Sequence, residues 1–280
     1  MNVLVTGSSG SIGSAIATRL SHDAVVSGLD LVPGPATTGI GDIADADLVR
    51  AMMRGVNAVV HTAALHVPQL AGSSEDDFRR VNEGGTRTLL EATVRAGVSR
   101  FVLTSTTSVY GCSERAGPPA TWADESLPPQ PADIYDQTKL AAEAECRDRA
   151  GRRMSAVILR MSRCFPEPVH LMAFYRMYRG VDRRDVAEAH YRAVVTPVTG
   201  SVTLNVSGAS PFRREDLSAL WDEPWPVIER RVPSVRAAFE RRRWPLPSGI
   251  DRVYPIENAT RVLCYQPRHG VGALLGLDVG

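Results

Sequence analysis

The chain begins Met1-Asn2-Val3-Leu4-Val5-Thr6-Gly7-Ser8-Ser9-Gly10-Ser11-Ile12-Gly13, and this stretch decides the fold. Residues 3–6 are an apolar run typical of a strand, and apolar residues at positions 12, 16 and 20 follow at helical spacing. Glycine lets the backbone turn tightly and approach a pyrophosphate, while the start of a helix offers free N–H groups to its charge. The stretch therefore predicts a dinucleotide-binding turn, with a purely structural turn as the alternative, formed by Gly7, Gly10, Ser11, Ile12 and Gly13.

Strand-like and helix-like segments alternate along the first half of the chain. Strands are predicted at residues 3–6, 25–30, 58–62, 101–105 and 156–160, and helices at 12–20, 81–96 and 135–149. This alternation indicates βαβ units and an α/β fold, a Rossmann-type doubly wound parallel sheet. Residues 111–133, rich in Pro and Gly, are predicted to form a long ordered loop. We expect a dinucleotide-binding domain at 1–165 and a small, irregular substrate lobe at 166–280, parts of which return to the Rossmann core.

The composition of the 280-residue chain is typical of a globular protein, with 44% hydrophobic and 22% charged residues. The 32 basic and 31 acidic residues nearly cancel, which argues against a dedicated nucleic-acid-binding protein. No apolar run reaches the length of a membrane-spanning helix, and the first residues do not resemble a signal peptide. The four cysteines are far apart, so we expect no metal site, no disulfide framework and a cytoplasmic location.

Asp30 lies at the end of the second predicted strand, 17 residues after Gly13. A carboxylate at that place accepts hydrogen bonds from ribose hydroxyls and repels a 2′-phosphate. The following residues, Leu31-Val32-Pro33, include no arginine that would bind such a phosphate. This pattern favours NAD over NADP, and the alternative is an aspartate that only caps a turn.

Tyr135 and Lys139 are four residues apart on a predicted helix, so their side chains share one face. A nearby ammonium favours the phenolate and lowers the pKa of a tyrosine toward neutral pH, as a general acid–base residue requires. Because this spacing is common by chance, the pair alone does not identify a catalytic site.

The motifs of this chain occur in an order that resembles a known family. They are Thr6-Gly7-x-x-Gly10-x-x-Gly13, Asp42-Ile43, His61-Thr62-Ala63-Ala64, Asn82, Thr104-Ser105-Thr106-x-x-Val109-Tyr110-Gly111, Tyr135-x-x-x-Lys139 and Leu159-Arg160. Together they resemble the extended short-chain dehydrogenase/reductase family, in its NAD-dependent epimerase/dehydratase branch. The resemblance is strong over residues 1–165 and weak from there to Pro267.

The resemblance implies a role for each matching residue. Tyr135 is the expected acid–base residue, Lys139 lowers its pKa and holds the nicotinamide ribose, and Thr106 orients the substrate oxygen. Ser105 is the adjacent alternative to Thr106 and a candidate substrate residue. Contacts with NAD are expected from Asp42 at the adenine amino group, from Ile43 on the adenine ring, and from Ala63, Ala64, Asn82 and Thr104.

Three further expectations concern the oligomeric state and two histidines. The helices at 81–96 and 135–149 resemble the pair that forms a four-helix dimer interface in the family, so a homodimer is expected. His61 is expected to be structural, because it ends a buried strand. His66 follows the Ala63-Ala64 turn and is a candidate substrate residue, with a solvated loop histidine as the alternative.

The substrate region departs from the family pattern. Sugar-nucleotide enzymes of the family read Leu-Arg-x-x-Asn after the sixth strand, whereas Arg163 stands at the asparagine position here. Arg163 is therefore a candidate contact for a substrate anion, with a surface salt bridge as the alternative. Only 11 residues separate Pro168 from Gly180, so the segment that grips a nucleoside diphosphate is largely missing. The shortened region is similar to that of uronate dehydrogenases, but Met172 replaces their carboxylate-binding arginine.

These features predict an NAD-dependent oxidoreductase that acts on a secondary alcohol or ketone of a small sugar-like molecule, with Tyr135 moving the proton. One alternative is an NAD-dependent sugar or nucleotide-sugar epimerase, similar to a UDP-glucose 4-epimerase, which accumulates no NADH. Another is a non-catalytic NAD-binding regulator, because a fold does not fix a function. The intact set of Thr106, Tyr135 and Lys139 argues against the regulator.

Overall fold

The computed structural model describes residues 1–115, 117–246 and 248–277. Its strands are β1 (Asn2–Thr6), β2 (Val25–Asp30), β3 (Thr37–Ile40), β4 (Ala58–His61), β5 (Arg100–Thr106), β6 (Thr121–Trp122), β7 (Ser155–Met161), β8 (Ser201–Val206) and β9 (Arg252–Val253). Its α-helices are α1 (Ser11–Leu20), α2 (Ala46–Met52), α3 (Glu75–Phe78), α4 (Thr86–Arg95), α5 (Ile134–Arg149), α6 (Val169–Tyr175), α7 (Arg183–Val195), α8 (Leu217–Asp222), α9 (Pro224–Arg231), α10 (Pro233–Arg242), α11 (Glu257–Leu263) and α12 (Val271–Leu275). Short 3₁₀ segments lie at Val67–Gln69, Thr107–Arg115 and Arg214–Asp216.

The main sheet has seven strands in the order β3-β2-β1-β4-β5-β7-β8. β1 runs parallel to both β2 and β4, and the pairs β2–β3 and β4–β5 are parallel as well. This is the Rossmann-type order, so the expected α/β fold is confirmed. The strand order reverses between β1 and β4, and ligands of such sheets bind at the carboxyl ends of the strands at this switch point.

The predicted helix at 81–96 begins earlier in the structure. The helical run starts at Glu75, because the Ser74 hydroxyl accepts the Asp77 N–H at 3.2 Å and forms a capping box. It continues through a π-helical segment, Arg79–Gly85, before α4 ends at Arg95. The sequence carried the Ser74-x-x-Asp77 signal, but the apolar periodicity on which we relied appears only further along the chain.

The chain divides into two compact units. The first unit comprises residues 1–109, 131–160 and 186–204, and the second comprises 110–130, 161–185 and 205–280. In the first unit, sheet residues such as Leu4 and Phe101 pack with Leu89 and Leu90 of α4 and with Ala142 of α5 in one buried cluster. This packing fixes the strand ends and α5, which carry most of the predicted site residues.

The second unit is more regular than the sequence suggested. Residues 221–280 were expected to be irregular, yet they contain the end of α8 and the whole of α9, α10, α11 and α12. Phe174 and Phe239 lie in its buried cluster, and Trp221, Trp225 and Trp244 pack against that cluster. The short helices have Pro at or near their starts, which is compatible with a first helical turn but obscures helical periodicity in the sequence. No helix in the described part of the chain is long and apolar enough to cross a membrane.

Candidate active site

The glycine turn lies between β1 and α1. Gly7 has a φ of +70°, in the left-handed region that favours glycine. A Cβ on Gly13 would lie 2.0 Å from the carbonyl oxygen of Gly7, so α1 approaches the turn this closely only because no side chain intervenes. No side chain caps α1 at Gly10. The first N–H groups of α1, at Ser11 and Ile12, therefore suit an anionic pyrophosphate.

The carboxylate of Asp30 lies beside the glycine turn, at the carboxyl end of β2. Its two oxygens accept the Ser9 N–H at 2.9 Å and the Val32 N–H at 3.2 Å. Each carboxylate oxygen has a second lone pair, so the group retains acceptor capacity for ribose hydroxyls. The position fits the predicted ribose contact.

The Asp42-Ile43 pair follows β3. Asp42 accepts the Ala44 N–H at 2.9 Å and an Arg80 N–H at 2.7 Å. Burial by itself would raise the pKa of Asp42, but these two donors together lower it. Ile43 is buried beside Gly85, where a Cβ would lie 2.5 Å from the Ile43 side chain. The contact with Arg80 was not predicted from the sequence. Arg80 binds the same carboxylate that we expected to bind the adenine amino group.

The loop after β4 carries Ala63 and Ala64 and contacts the glycine turn. A Cβ on Gly7 would lie 2.8 Å from the Ala63 nitrogen. The Asn82 side chain accepts the Leu65 N–H at 2.8 Å and donates to the Leu65 carbonyl at 2.9 Å and to the Thr138 hydroxyl at 3.0 Å. Asn82 is buried, and its amide fastens this loop to α5 one residue before Lys139. Its contribution is therefore to order the site through these internal bonds.

Two histidines lie near Lys139. His61 is buried between the hydroxyls of Thr6, at 2.8 Å, and Thr86, at 2.9 Å. Burial, and then the charge of Lys139, lower the pKa of His61 to about 3, so it is neutral and has a structural environment. His66 is partly buried, and the same two causes lower its pKa. The structure thus brings the candidate residue His66 close to Lys139.

Tyr135 and Thr106 lie close enough to interact through their side chains. The Thr106 hydroxyl is near enough to the Tyr135 phenol to affect its pKa, and it lies 2.8 Å from the Ser108 hydroxyl. Burial raises the pKa of Tyr135 well above its usual value, and the nearby Thr106 hydroxyl offsets only part of that rise. The direction is opposite to the lowering that we expected from Lys139, because the phenolate is desolvated and the charges of Asp136 and Asp133 raise the pKa further.

Lys139 is 3% exposed, and it is the one lysine among the 280 residues. Burial lowers the pKa of Lys139 to about 8, although the charge of the Glu143 carboxylate opposes this change. No hydrogen bond or ion pair joins its ammonium to any residue that the structure describes. A buried ammonium without such a partner is costly, and ribose hydroxyls of a bound dinucleotide would satisfy it.

Ser105 does not join Thr106 at the phenol of Tyr135. It is buried, and its hydroxyl donates to Glu143 at 2.6 Å. Glu143 also binds Arg160 through two hydrogen bonds of 2.9 and 2.7 Å and Arg147 through one of 3.1 Å. Burial would raise the pKa of Glu143, but Arg160 and the other donors lower it. Ser105 therefore supports the core under α5, and Thr106 is the residue that faces Tyr135.

Glu143 was missed in the sequence. It continues the series Tyr135, Lys139, Glu143, Arg147 at intervals of four residues along α5, which is a visible signal. Thr104, expected near NAD, instead pairs with His190 at 2.8 Å. His190 is buried, and burial lowers its pKa to about 4, so this pair is neutral.

Arg163, the remaining candidate, lies in the second unit, as do Arg176 and Met172. Arg163 forms two hydrogen bonds with Glu167, of 2.9 and 2.6 Å, so its guanidinium already has an anionic partner. Arg176 is buried against Asp182 at 2.6 Å. Met172 lies within α6, the helix that occupies the shortened segment. Within the described residues, no group of three or more His, Cys, Asp or Glu is arranged to hold a metal ion.

The chain matches the model of a known protein family. A model described as "NAD dependent epimerase/dehydratase family" matches residues 3–171. The 3 beta-hydroxysteroid dehydrogenase/Delta 5-->4-isomerase of Mycobacterium tuberculosis is 39% identical over 155 residues, which cover 50% of this chain and 40% of the relative. The match thus spans less than half the length of this curated relative.

Solved structures share the fold along nearly the whole chain. MoeE5 in complex with UDP-glucuronic acid and NAD matches with a TM-score of 0.71 at 24% identity, covering 100% of this chain and 98% of that one. A mutated uronate dehydrogenase matches with a TM-score of 0.68 at 20% identity, covering 97% of this chain and 83% of that one. At these identities the likeness supports the fold alone.

Proposed function

This chain belongs to the NAD-dependent epimerase/dehydratase family, and from that premise we propose that it is an NAD-dependent oxidoreductase. Its substrate is a secondary alcohol or ketone on a small sugar-like molecule. The observation that carries the proposal is that Tyr135 and the buried Lys139 lie four residues apart on α5, with Thr106 of β5 beside the Tyr135 phenol. Lys139 is the one lysine of the chain, and arginine stands at every other Lys or Arg position. The pKa of a lysine shifts readily on burial, whereas that of an arginine does not.

The residues present fit NAD. The glycine turn receives the pyrophosphate, Asp30 the adenosine ribose, Ile43 and Asp42 the adenine, and Lys139 the nicotinamide ribose. When bound, NAD supplies the hydride chemistry, and the protein supplies binding, orientation and proton transfer.

The proton moves at the phenol oxygen of Tyr135. Because the pKa of Tyr135 is raised, the resting phenol is protonated and can donate to a carbonyl oxygen. The Thr106 hydroxyl holds that oxygen beside the phenol. In the opposite direction the phenol oxygen must accept a proton, which requires a lower pKa than the resting one. Positive charge near the phenol oxygen, including that of Lys139, acts in this direction.

The experiment is a screen of sugars and sugar acids for NADH production. Activity should fall by at least about a hundredfold in Tyr135→Phe, within the range for loss of a general acid–base group. Tyr191→Phe is the matched control, because Tyr191 packs against Arg19 on another helix. Full activity in Tyr135→Phe would refute the assignment.

The second candidate is an epimerase, which the family description supports. It would run the same proton transfer in both directions on one bound substrate and accumulate no NADH. Uridine diphosphate separates the two candidates. A rise in melting temperature of the NAD-loaded protein with this ligand favours a nucleotide-sugar epimerase, and no rise at millimolar ligand favours the small-molecule dehydrogenase.

We also propose that the protein works as a cytoplasmic homodimer. The four cysteines are unpaired, which is compatible with a reducing compartment. The dimer rests on the family resemblance of the helical run at 75–95 and of α5, which Arg87 and Glu145 join at 3.0 Å. Light scattering on the purified protein tests it, and the mass of a single chain would contradict it.

A further inference from the structure

The second unit contains an arginine whose surroundings differ from those of its neighbours. Arg179 stacks on Tyr175, with its guanidinium carbon 4.3 Å from the ring centroid, and lies 5.5 Å from the centroid of Tyr178. Its Nε is buried and has no hydrogen-bond partner in the part of the chain that the structure describes. Among the described residues, no carboxylate forms an ion pair with its guanidinium. The nearby Arg163 and Arg176, in contrast, are bound by Glu167 and Asp182.

A second guanidinium lies beside the same ring. Arg163 is 5.5 Å from the centroid of Tyr175. The two arginines are also backbone neighbours, because the Arg163 N–H donates to the Arg179 carbonyl at 3.0 Å and Arg163 bridges to Gly180. Tyr175 thus lies beside two cations, and Glu167 is the only directly bound anion that either of them has among the described residues.

One more carboxylate lies near Arg179. Asp251 is close enough to interact electrostatically with Arg179, but its carboxylate is also bound by Arg252 at 2.9 Å. A partly buried guanidinium with an unsatisfied N–H gains from a planar anion that accepts two of its hydrogen bonds.

We propose that Arg179, supported by Tyr175 and Arg163, is a binding site for a carboxylate or phosphate group. Its planar donor fork selects two-oxygen acceptors over a spherical ion such as chloride. The anionic group belongs either to the substrate, which rests on the proposed function, or to a free effector anion. Its recognition chemistry is the same in both cases.

The first experiment is direct binding at constant ionic strength, with inorganic phosphate and malonate as probes and chloride as the balancing salt. Calorimetry should give saturable binding to the wild-type protein, weakened at least about tenfold in Arg179→Gln. Arg241→Gln is the matched control, because Arg241 is an exposed arginine of α10, and it should bind like the wild type. Equal binding by Arg179→Gln, or no binding by the wild type, would overturn the proposal.

A second variant guards against misfolding of the first. Glu167→Gln removes the carboxylate that neutralises Arg163, so it should strengthen binding of both probes severalfold. A gain of affinity does not arise from a damaged fold. Unchanged or weaker binding in this variant would contradict the charge argument.

Turnover separates the two sources of the anion. A sugar and its corresponding acid are compared with wild-type protein and Arg179→Gln. A rise in KM for the acid alone assigns the anion to the substrate. Unchanged KM values, together with lost phosphate binding, assign it to a free effector. If neither compound is turned over, the proposed function fails on that pair, while the binding experiment still decides this site.

Discussion

Replacing Lys139 with methionine should stabilise the protein while abolishing its activity. Burial lowers the pKa of Lys139 to about 8, against 10.5 for an ordinary lysine. The folded protein therefore binds this proton less tightly than the unfolded chain. At 1.36 kcal/mol per pKa unit, the folded state loses about 3 kcal/mol at neutral pH. Methionine removes the charge and keeps an unbranched chain of similar volume.

The sign of the pH dependence follows from the same values. The destabilisation is complete below pH 8 and disappears as pH rises toward 10.5, because the folded protein loses the proton before the unfolded chain does. Lys139→Met should thus be more stable than the wild type by up to about 3 kcal/mol at pH 7, and the difference should shrink toward pH 10.5. His61, with a pKa near 3, titrates outside this window.

Urea unfolding of both proteins between pH 7 and pH 10.5 measures the difference. Because Lys139 is the one lysine, reductive methylation with a ¹³C label also gives its pKa from a side-chain signal distinct from that of the N-terminal amine. The rate of NADH production by the variant measures the predicted loss of activity. A variant less stable than wild type at pH 7, or a stability difference that does not change with pH, would refute the reasoning.

Three further predictions concern single positions. Thr106→Ala should lower kcat by at least about tenfold. Ser105→Ala should keep kcat but lose about 1 kcal/mol of stability, because it removes the hydrogen bond to Glu143. Equal losses of kcat in the two variants, measured in the steady-state assay, would contradict this distinction. Gly13→Ala places a Cβ 2.0 Å from the Gly7 oxygen, so the affinity for NAD, measured by calorimetry, should fall at least about tenfold. Gly72→Ala is the control and should bind NAD normally, because its added Cβ would have no atom within 4 Å. Asp30→Ala should weaken NAD more than NADP in competition binding, and an unchanged ratio would remove Asp30 from the ribose contact.

Local patterns predicted the elements that hold the site, but not all of its contacts. The helix of Tyr135 and Lys139 was predicted to within one residue, because its periodicity and its position after a Pro-rich segment are local properties. The direction of the shift in the Tyr135 pKa was not predicted, since it depends on burial by residues distant in sequence. Ser105 and Thr106 are neighbours on β5, and only the packed structure shows that Ser105 turns to Glu143 and Thr106 to Tyr135.

The sequence by itself predicted the Rossmann-type fold, the glycine turn and the Tyr135–Lys139 pair, because strand periodicity, glycine spacing and helix-face spacing are properties of short stretches of chain. Thr106 was assigned only through the family resemblance. The tertiary structure alone decided which polar groups are satisfied and which are not. Arg163 is bound by Glu167, while Arg179 stacks on Tyr175 and binds no carboxylate of a described residue, although both are arginines in the same region of the chain. Their difference arises from side-chain geometry and desolvation, which depend on neighbours that the fold, and not the linear order, brings together.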